Sequence, residues 1–372
     1  MTRLVALDLP GGPDLLRALA TAWDDGDAVA VVPRDLPEAG RDRWFAAVRP
    51  HVVASAAGLV AHDPDAPGLA AGDALVVTTS GSTGTPKVLV HTVGSLQAHA
   101  AAVHERLGVD PATNRWLACL PLHHLGGFGV VARALLTGTG VDVLPGFDAA
   151  TVAAAPATRG STLTSLVATA LDRIDPAAFR WVVLGGSADH RERPANVVRT
   201  YGLTETGGGV VYEGTPLSGV AVRIAASGEV ELQTPTLARG RRAADGRVAP
   251  LADEAGWFAT GDLGRLSDDG HLEVLGRADH LIVTGGENVW PEPVEAALAT
   301  HPAVADVRVH GEPDDEWGQR VVATVVPVDR TSPPSLEALR AHAKGALPAS
   351  AAPRELRVVD HLARTSLGKL VR

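Results

Sequence analysis

The sequence has very little cysteine, which excludes two kinds of structure. Cys119 is the only cysteine among 372 residues, so the chain cannot form an internal disulfide or bind a metal ion through a cluster of thiolates. A single cysteine of this kind is more often a small core residue than a nucleophile. We therefore expect Cys119 to be buried and chemically inert.

The sequence also lacks an excess of positive charge and long apolar runs. Its formal net charge is −10, whereas a general nucleic-acid-binding protein needs a basic face. No segment is apolar for long enough to span a bilayer. Asp8 interrupts the apolar N-terminal residues at a point where a signal peptide would continue them. We therefore expect a cytoplasmic protein that neither binds nucleic acid nor inserts into a membrane.

The residues that are present predict an α/β protein of two or three packed units. Strand patterns such as Trp181–Leu184 alternate with runs such as Ser165–Leu171, which we interpret as helical. From Gly219 onward, short strands separated by turns predict a β-rich subdomain. After Arg277 a compact pattern of helices and strands predicts a small α+β domain.

A loop rich in glycine and hydroxyl groups follows an apolar strand pattern. It reads Thr79-Ser-Gly-Ser-Thr-Gly-Thr-Pro-Lys87, and its glycines allow backbone N–H groups to approach phosphate oxygens. It is not a Walker A loop, which has four residues between its glycines and ends in Gly-Lys-Ser/Thr. A hairpin loop of small residues is the alternative explanation. The candidate phosphate-binding residues are Thr79, Ser80, Gly81, Ser82, Thr83, Gly84 and Lys87.

Three further segments combine residue types that suit a nucleotide and a metal ion. In Tyr201-Gly-Leu-Thr-Glu-Thr206 an aromatic ring can stack on a purine, a threonine can donate to phosphate, and a carboxylate can hold Mg²⁺. Asp262 offers two acceptor oxygens, which suit a vicinal diol. Lys369 offers a compact cation close to the C-terminus. Taken separately, these segments also fit a β-turn, an ordinary Gly-Asp turn and a solvated tail.

Together and in this order, the segments resemble the carboxylate-adenylating superfamily of acyl-CoA synthetases, adenylation domains and luciferases. The resemblance extends from about residue 70 to the C-terminus. It implies a large N-terminal domain over residues 1–276, with α/β sheets, helices and a β-rich subdomain. It also implies a small, mobile α+β domain over residues 277–372, with a hinge near Asp279.

The resemblance also implies a role for each matching residue. Lys369, Thr204 and Glu205 would be catalytic, and Glu205 would also hold Mg²⁺. Gly285 and Gly286 would line the tunnel for the pantetheine arm of coenzyme A. The residues implied to bind ATP or AMP, besides those of the loop, are Gly185, Gly186, Ser187, Tyr201, Gly202, Asp262 and Arg277.

The segment Pro121-Leu-His-His-Leu-Gly-Gly-Phe128 contains two adjacent histidines. On a strand, which is how we interpret this segment, they would point apart and would be poor joint metal ligands. We therefore expect no metal site there. The resemblance implies that His124, Gly127 and Ser165 face the acyl group. For His124, a core histidine is the alternative.

Within the superfamily, the short chain most resembles the short actinobacterial o-succinylbenzoate–CoA ligases of menaquinone biosynthesis. The segments that carry this likeness are Pro121–Gly127, Ser165–Val167 and Tyr201–Tyr212. The resemblance implies ATP, Mg²⁺ and coenzyme A, an acyl-AMP intermediate, and the release of AMP and pyrophosphate. A homodimer is an expectation that no motif of the sequence carries. Alternatives are another aryl- or fatty-acyl-CoA ligase, a free-standing enzyme that loads a carrier protein, or a non-catalytic adenylate-binding protein. The loop spacing disfavours a P-loop NTPase.

Overall fold

The computed structural model describes residues 2–79, 86–186 and 191–363. Residues 1, 80–85, 187–190 and 364–372 lie outside this description. Within the described ranges the chain forms 24 strands, which are, in chain order, β1 Leu4–Asp8, β2 Ala28–Val31, β3 Val52–Ser55, β4 Gly58–Ala61, β5 Asp73–Thr79, β6 Lys87–Thr92, β7 Arg115–Ala118, β8 Gly140–Val143, β9 Leu163–Val167, β10 Trp181–Gly185, β11 Val197–Leu203, β12 Gly208–Tyr212, β13 Thr215–Pro216, β14 Ala221–Ile224, β15 Glu229–Gln233, β16 Gly240–Arg242, β17 Val248–Ala249, β18 Phe258–Leu266, β19 Leu272–Arg277, β20 Ile282–Thr284, β21 Glu287–Val289, β22 Val304–Asp314, β23 Gly318–Pro327 and β24 Glu355–Val358.

Helices connect many of these strands. The α-helices of the described ranges are α1 Pro13–Asp24, α2 Glu38–Val48, α3 Val93–Leu107, α4 Leu125–Thr137, α5 Ala149–Arg159, α6 Ala168–Leu171, α7 Pro291–Ala299 and α8 Leu336–Lys344. Short 3-10 segments lie at Pro176–Ala178, Ala278–His280 and Ala349–Ala351. No helix of the described ranges is both long and apolar enough to cross a membrane.

The described residues fall into two compact units. The first comprises residues 2–79, 86–186, 192–222 and 232–258. The second comprises residues 191, 223–231 and 259–363. The resemblance implies a domain boundary between residues 276 and 277. This boundary is defined by movement about a hinge, and it stays a prediction.

Two sheets dominate the first unit. Among the described residues, one has eight strands in the order β17-β16-β6-β5-β2-β1-β3-β4, and β5, β2, β1 and β3 run parallel. The other has seven strands in the order β13-β12-β11-β10-β9-β7-β8, and β8, β7, β9, β10 and β11 run parallel. Parallel strands are covered on both faces and therefore form nearly continuous apolar runs. The predicted α/β sheet with covering helices is confirmed.

Helices α3 and α4 pack together and share one core with strands of both sheets. Helix α3 begins at Val93 because Thr92 and Ser95 form a capping box. Ser95 N donates to Thr92 Oγ1 at 3.0 Å, and Thr92 N donates to Ser95 Oγ at 3.1 Å. These two helices therefore place apolar side chains between the two sheets.

One sequence interpretation is wrong. The run Ser165–Leu171 forms strand β9 up to Val167, and only Ala168–Leu171 is helical. Strand β9 lies between β7 and β10, so apolar side chains are needed on both of its faces. Such a run has no alternation, and periodicity alone cannot distinguish it from a buried helix.

The second unit contains the smaller sheets. A four-stranded sheet in the order β14-β15-β18-β19 lies mostly within it and confirms the predicted β-rich subdomain. A further sheet contains β21, β20, β23 and β22 in this order, with β24 paired to β23. Its apolar face packs against α7 and α8 in a separate core. The predicted α+β pattern after Arg277 is confirmed.

Candidate active site

The candidate phosphate loop joins two antiparallel strands of the first unit. Thr79 ends β5, the exposed Lys87 begins β6, and the two residues are register partners. A strand follows the lysine, as predicted, whereas a helix follows a Walker A lysine. The structure describes these two ends. The predicted residues that lie outside the described ranges are Ser80, Gly81, Ser82, Thr83 and Gly84.

Two glycines mark the carboxyl end of strand β10. Gly185 is the last residue of the strand, and Gly186 follows with a φ of 105°. A Cβ at position 185 would lie 3.4 Å from Thr200 Oγ1, and this hydroxyl donates to Leu184 O at 3.1 Å. The backbone there is fixed and lacks side chains, so a flat ring such as adenine can approach it closely. Ser187 lies outside the described residues.

The segment that contains Thr204 and Glu205 joins β11 to β12. Tyr201 and Gly202 belong to β11, with a bulge at this point, and the chain turns at residues 204–207. A Cβ at Gly202 would overlap the carbonyl oxygen of Gly208, and only glycine fits this position. Because β10 and β11 run parallel, Thr204 and Glu205 lie at the same sheet edge as the glycines that end β10.

Glu205 is partly buried, and its carboxylate makes no hydrogen bond or ion pair with another described residue. In the described part of the chain, no group of three or more His, Cys, Asp and Glu side chains could hold a metal on its own. Mg²⁺ usually binds through one or two carboxylates together with substrate phosphates. The lone Glu205 carboxylate therefore fits a magnesium ion that arrives with a nucleotide.

The two residues predicted to bind ribose are neighbours in the second unit. Asp262 on β18 and Arg277 on β19 are register partners. Arg277 Nη1 lies 3.4 Å from Asp262 Oδ1, and the Asp262 side chain is buried. Two distant sequence segments therefore form one pair that combines acceptor oxygens with a cation.

The predicted hinge residue Asp279 lies in the 3-10 segment that follows β19. Some loss of hydration opposes its ionisation, but the hydrogen bond from Arg277 Nε at 3.1 Å and the charge of Arg277 outweigh this effect and lower the pKa of Asp279. Its carboxylate is therefore charged at neutral pH. The hinge role itself stays a prediction.

Gly285 and Gly286 form the turn of a hairpin between β20 and β21. Their φ angles of 60° and 81° are those of a type I′ turn, which favours glycine. Gly285 N donates to Trp317 O at 2.8 Å, and a Cβ at position 285 would lie 2.8 Å from the Trp317 ring. Both glycines are exposed. The turn thus leaves bare backbone at the surface of its unit, and the predicted tunnel role stays a prediction.

The adjacent histidines lie in a turn before α4, so the predicted strand is wrong there. Strand β7 ends at Ala118, the chain turns at Pro121, and the alternation of side chains is lost. The rings of His123 and His124 therefore do not point apart, and their centroids are 4.1 Å apart. His124 is the N-cap residue of α4 and is partly buried.

Gly127 is placed by backbone packing. A Cβ there would lie 2.5 Å from Pro121 O and would overlap Leu120 O. The first turn of α4 can therefore approach the preceding turn only without a side chain at this position. Gly127 consequently has a structural reason to be glycine that is independent of an acyl ligand.

Ser165 has a partner that the sequence interpretation missed. Its hydroxyl accepts a hydrogen bond from Arg133 Nη2 at 3.1 Å, and both residues are buried. The Arg133 guanidinium also lies over the Trp116 ring, 4.6 Å from its centroid. Among the described residues, Arg133 has no carboxylate partner, and its Nε has no hydrogen-bond partner. The sequence does carry a signal for Arg133, because it is the one charged residue in the largely apolar helix α4.

The surroundings of Arg133 are neutral. Burial, together with the charge of Arg133, lowers the pKa of His99 to about 3 and that of His104 to about 4. Trp116 Nε1 donates to His104 Nε2 at 3.1 Å, which requires an unprotonated nitrogen. Burial lowers the pKa of Arg133 as well, but a guanidinium remains charged in proteins. The site therefore contains one buried positive charge without a counter-ion among the described residues.

Lys369, the predicted catalytic lysine, lies outside the described residues. The described residues of the first unit that are predicted to bind the nucleotide lie near strand ends or in the turns that follow them, whereas Gly127 lies in helix α4 and Ser165 lies within strand β9. This arrangement is typical of α/β enzymes, in which ligands bind at the carboxyl ends of parallel strands.

Comparison with known families assigns the chain to a class of enzymes. Residues 16–231 match the AMP-binding enzyme family, and residues 293–369 match the AMP-binding enzyme C-terminal domain. The first match alone spans more than half of the chain. The chain therefore belongs to the AMP-binding enzyme family, and the family resemblance seen in the sequence is confirmed.

The relatives are more specific. The chain is 46% identical over 322 residues to the probable 2-succinylbenzoate–CoA ligase of Mycobacterium tuberculosis, covering 80% of this chain and 82% of that protein. It is 33% identical over 287 residues to the 2-succinylbenzoate–CoA ligase of Bacillus cereus, covering 68% of this chain and 59% of that protein. Among solved structures, the o-succinylbenzoate CoA synthetase of Bacillus subtilis in complex with its acyl-adenylate intermediate superposes with a TM-score of 0.85 at 25% identity, covering 99% of this chain and 87% of that chain.

These findings confirm the predicted fold class, with a large N-terminal and a small C-terminal domain, and the predicted enzyme class of AMP-forming acid–thiol ligases. They do not test the individual site residues. The roles of those residues therefore stay predictions.

Proposed function

We propose that this enzyme joins o-succinylbenzoate to coenzyme A through an acyl-AMP intermediate, releasing AMP and pyrophosphate in menaquinone biosynthesis. The names of its relatives support this activity and, with it, the predicted use of ATP, Mg²⁺ and coenzyme A. The single structural observation that carries the choice of acid is Arg133, a buried cation beside Ser165.

Arg133 favours a dicarboxylic acid over a monocarboxylic one. A buried charge without a counter-ion is unfavourable, and a carboxylate that pairs with it removes much of this cost. The planar guanidinium can bind a carboxylate through two parallel hydrogen bonds. In o-succinylbenzoate, one carboxylate is activated and the other remains ionised. We propose that Arg133 binds the second carboxylate and that His124 and Gly127, at the start of the same helix, contact the acyl group.

In the first half-reaction, a substrate carboxylate oxygen attacks the α-phosphorus of ATP in line, a new O–P bond forms, and pyrophosphate leaves. Backbone N–H groups of the loop at residues 80–87 hold the phosphates. Thr204 donates to the α-phosphate, and Lys369 binds both the carboxylate and the α-phosphate as charge develops between them. Glu205 would hold Mg²⁺, which would supply positive charge against the phosphates. Asp262 and Arg277 hold the ribose, and the glycines at the end of β10 with Tyr201 accept the adenine.

In the second half-reaction, the thiolate of coenzyme A attacks the acyl carbon, a thioester bond forms, and AMP leaves with the electron pair. We propose that rotation about Asp279 first withdraws Lys369. The exposed turn at Gly285 and Gly286 then lines the path of the pantetheine arm, because it offers backbone without side chains. Each half-reaction therefore uses a different set of residues from the C-terminal domain.

Mass spectrometry of reaction products tests this function. The purified protein is mixed with MgATP, coenzyme A and a panel of acids that includes o-succinylbenzoate, its methyl esters, benzoate and fatty acids. We expect o-succinylbenzoyl-CoA, AMP and pyrophosphate in clear preference. Thioesters of another acid would contradict the proposed substrate. Accumulation of acyl-AMP without a thioester would instead support a carrier-protein acceptor, and release of orthophosphate would contradict adenylation.

The cytoplasmic location, the possible homodimer and the lack of nucleic-acid and membrane partners stay predictions from the sequence. For its substrates the proposed reaction needs only small molecules, namely ATP, coenzyme A and the acid.

A further inference from the structure

Hydrogen bonds to backbone carbonyls hold the turn that carries Thr204 and Glu205. The carbonyl oxygens of Thr204, Glu205 and Thr206 each accept a hydrogen bond, and the three donors come from two other segments of the first unit. The donors, in the order of these carbonyls, are His91 Nε2 at 2.9 Å, Ala238 N at 2.7 Å and Thr236 Oγ1 at 2.8 Å. Because three consecutive carbonyls are fixed, the backbone from which the side chains of Thr204 and Glu205 extend has a defined position.

Two histidines contact this segment at both ends. His91 lies on β6 and binds the Thr204 carbonyl, while His99 lies on α3 and binds the Gly209 carbonyl at 3.0 Å. Their exposed fractions are 0% and 3%. Because a carbonyl oxygen only accepts hydrogen bonds, each ring must carry its proton on Nε2. His91 belongs to the eight-stranded sheet and His99 to the helix that follows β6, and both bind the segment that connects β11 and β12 of the seven-stranded sheet.

The glycines after Glu205 allow this close contact. A Cβ on Gly208 would lie 3.3 Å from His99 Nε2. Gly207 has a φ of 76°, and a Cβ there would lie 3.8 Å from His91 Cε1. The Gly207–Gly209 run therefore packs directly on the two imidazole rings. An ordinary side chain at Gly208 would crowd the His99 ring and disturb its hydrogen bond.

Packing alone does not explain a histidine at position 91. The other residues of β6 from Val88 to Val90 are apolar and buried. His91 Nδ1 has no hydrogen-bond partner among the described residues, so burial of the ring leaves one polar atom unsatisfied. An apolar side chain would avoid this cost. What the histidine adds is the hydrogen bond to Thr204.

We infer that His91 is a positioning residue for the adenylation half-reaction, holding the turn so that Thr204 and Glu205 face the ATP phosphates. His91 shares β6 with Lys87, so one short strand connects the end of the phosphate loop to this turn. His99 supports the far end of the turn. The inference rests on the proposed function, because it assigns His91 to one half of that reaction.

A matched pair of variants tests the inference. His91→Leu keeps the apolar volume but removes the donor, whereas His91→Gln places an amide N–H near the former Nε2. His51→Leu is the control, because it removes a different histidine–backbone hydrogen bond, that with the Leu4 amide at 3.0 Å. If His91→Leu does not fold, His91→Asn replaces it, since its amide is too short to reach the carbonyl.

Three measurements are made on each variant. The first is the exchange of labelled pyrophosphate into MgATP in the presence of o-succinylbenzoate, which reports formation and reversal of the acyl-AMP. The second is conversion of supplied o-succinylbenzoyl-AMP to its thioester, which needs neither ATP nor Glu205. The third is hydrogen exchange of the peptide over residues 203–210 in the ligand-free protein.

We expect His91→Leu to lower kcat/KM for pyrophosphate exchange by about tenfold or more and to speed hydrogen exchange in the peptide. His91→Gln should recover most of both losses. The rate of thioester formation should stay within about twofold of the wild-type rate for all variants, because a single lost hydrogen bond at this turn does not affect that step. His51→Leu should match the wild type in all three measurements.

Equal loss in both half-reactions, or a glutamine variant no better than the leucine variant, would overturn the inference. Wild-type exchange kinetics and peptide protection in His91→Leu would do the same. A wild-type protein that adenylates no acid would refute the proposed function instead. In that case the hydrogen-exchange comparison still decides whether His91 holds the turn.

Discussion

Arg277 Nη1 donates to the Thr260 carbonyl at 2.9 Å, and this contact holds its guanidinium beside the Asp262 carboxylate. Gly261 makes the arrangement possible, because a Cβ there would lie 2.7 Å from Arg277 Nη2. The Gly261 amide in turn donates to Glu229 Oε1 at 2.7 Å. The acceptor and the cation proposed for the ribose are thus fixed before any ligand binds, which lowers the entropic cost of binding.

The Asp262→Asn variant tests the ribose assignment. Asparagine keeps the shape but loses the charge and one acceptor, so we expect kcat/KM for ATP to fall by about 10- to 100-fold. With 2′-deoxy-ATP the wild type and the variant should differ less, because the lost hydrogen bond is already absent from the substrate. Steady-state kinetics with both nucleotides make the comparison. Equal losses with the two nucleotides would contradict a bond to the 2′-hydroxyl.

Replacement of Arg133 tests the choice of acid. Arg133→Met removes the buried charge, and we expect adenylation of o-succinylbenzoate to slow by about 100-fold or more, since breaking a buried ion pair costs about 3–5 kcal/mol. Activity with the ester that blocks the second carboxylate should change far less. Folding stability should be equal or higher, because the cation lacks a carboxylate partner among the described residues. Parallel losses with both acids would contradict the pairing.

Gly126 and Gly127 offer a matched test of the packing of α4. Gly127→Ala should destabilise the protein by about 1–3 kcal/mol, because the new Cβ meets two backbone carbonyls that cannot move independently. Gly126→Ala should be near neutral, since its nearest contact would be Leu120 Cδ1 at 3.5 Å. Urea unfolding of both variants measures the difference. Equal stabilities would show that the backbone of the turn before α4 can move away from the new Cβ at little cost in free energy.

The buried histidines predict a loss of stability in mild acid. His99 and His104 are neutral in the folded protein, with pKa values lowered from 6.5 to about 3 and about 4 by burial. The unfolded chain binds protons below pH 6.5, so their contribution is fully present above that pH and is lost as the pH falls toward 4. Each histidine adds a slope of up to about 1.4 kcal/mol per pH unit.

Urea midpoints at pH 7.5 and pH 5.5 measure this effect. His104→Gln should flatten the pH dependence, because its amide oxygen can still accept from Trp116 but does not titrate. The exposed His62→Gln is the control and should leave the slope unchanged. Equal stabilities at the two pH values would contradict the claim that His99 and His104 stay neutral in the folded protein.

Lys369→Ala separates the two half-reactions. The lysine is proposed to act only while the acyl-AMP forms, so its removal should slow pyrophosphate exchange by about 10²–10³, the loss typical of one charge-stabilising donor. Conversion of supplied o-succinylbenzoyl-AMP to the thioester should continue at close to the wild-type rate. An equal loss in both reactions would contradict the alternating role of the small domain.

Much of the fold could be predicted because it depends on local patterns. The buried strand before Thr79, the short strands after Gly219 and the helix–strand pattern after Arg277 all agree with the structure. The errors have one cause. For Ser165 and for the histidine pair, the conformation is set by neighbouring strands and by a turn at Pro121, which no local periodicity reveals.

The candidate site was predictable only as a set of residues in sequence order. Gly-rich segments, Glu205 and Asp262 were found because their residue types and order match a family. Arg133 was missed because its importance lies in what surrounds it. A lone arginine in a helix is ordinary until burial and the lack of a described carboxylate partner are known.

The sequence by itself determined the family, part of the pattern of strands and helices, and the residues able to bind a nucleotide, since these depend on residue type and spacing. Only the tertiary structure decided which residues meet. It placed His91 against the Thr204 carbonyl, Arg277 beside Asp262 and Arg133 against Ser165. These contacts join segments far apart in the chain, and their energies depend on burial and geometry, which exist only once the chain has folded.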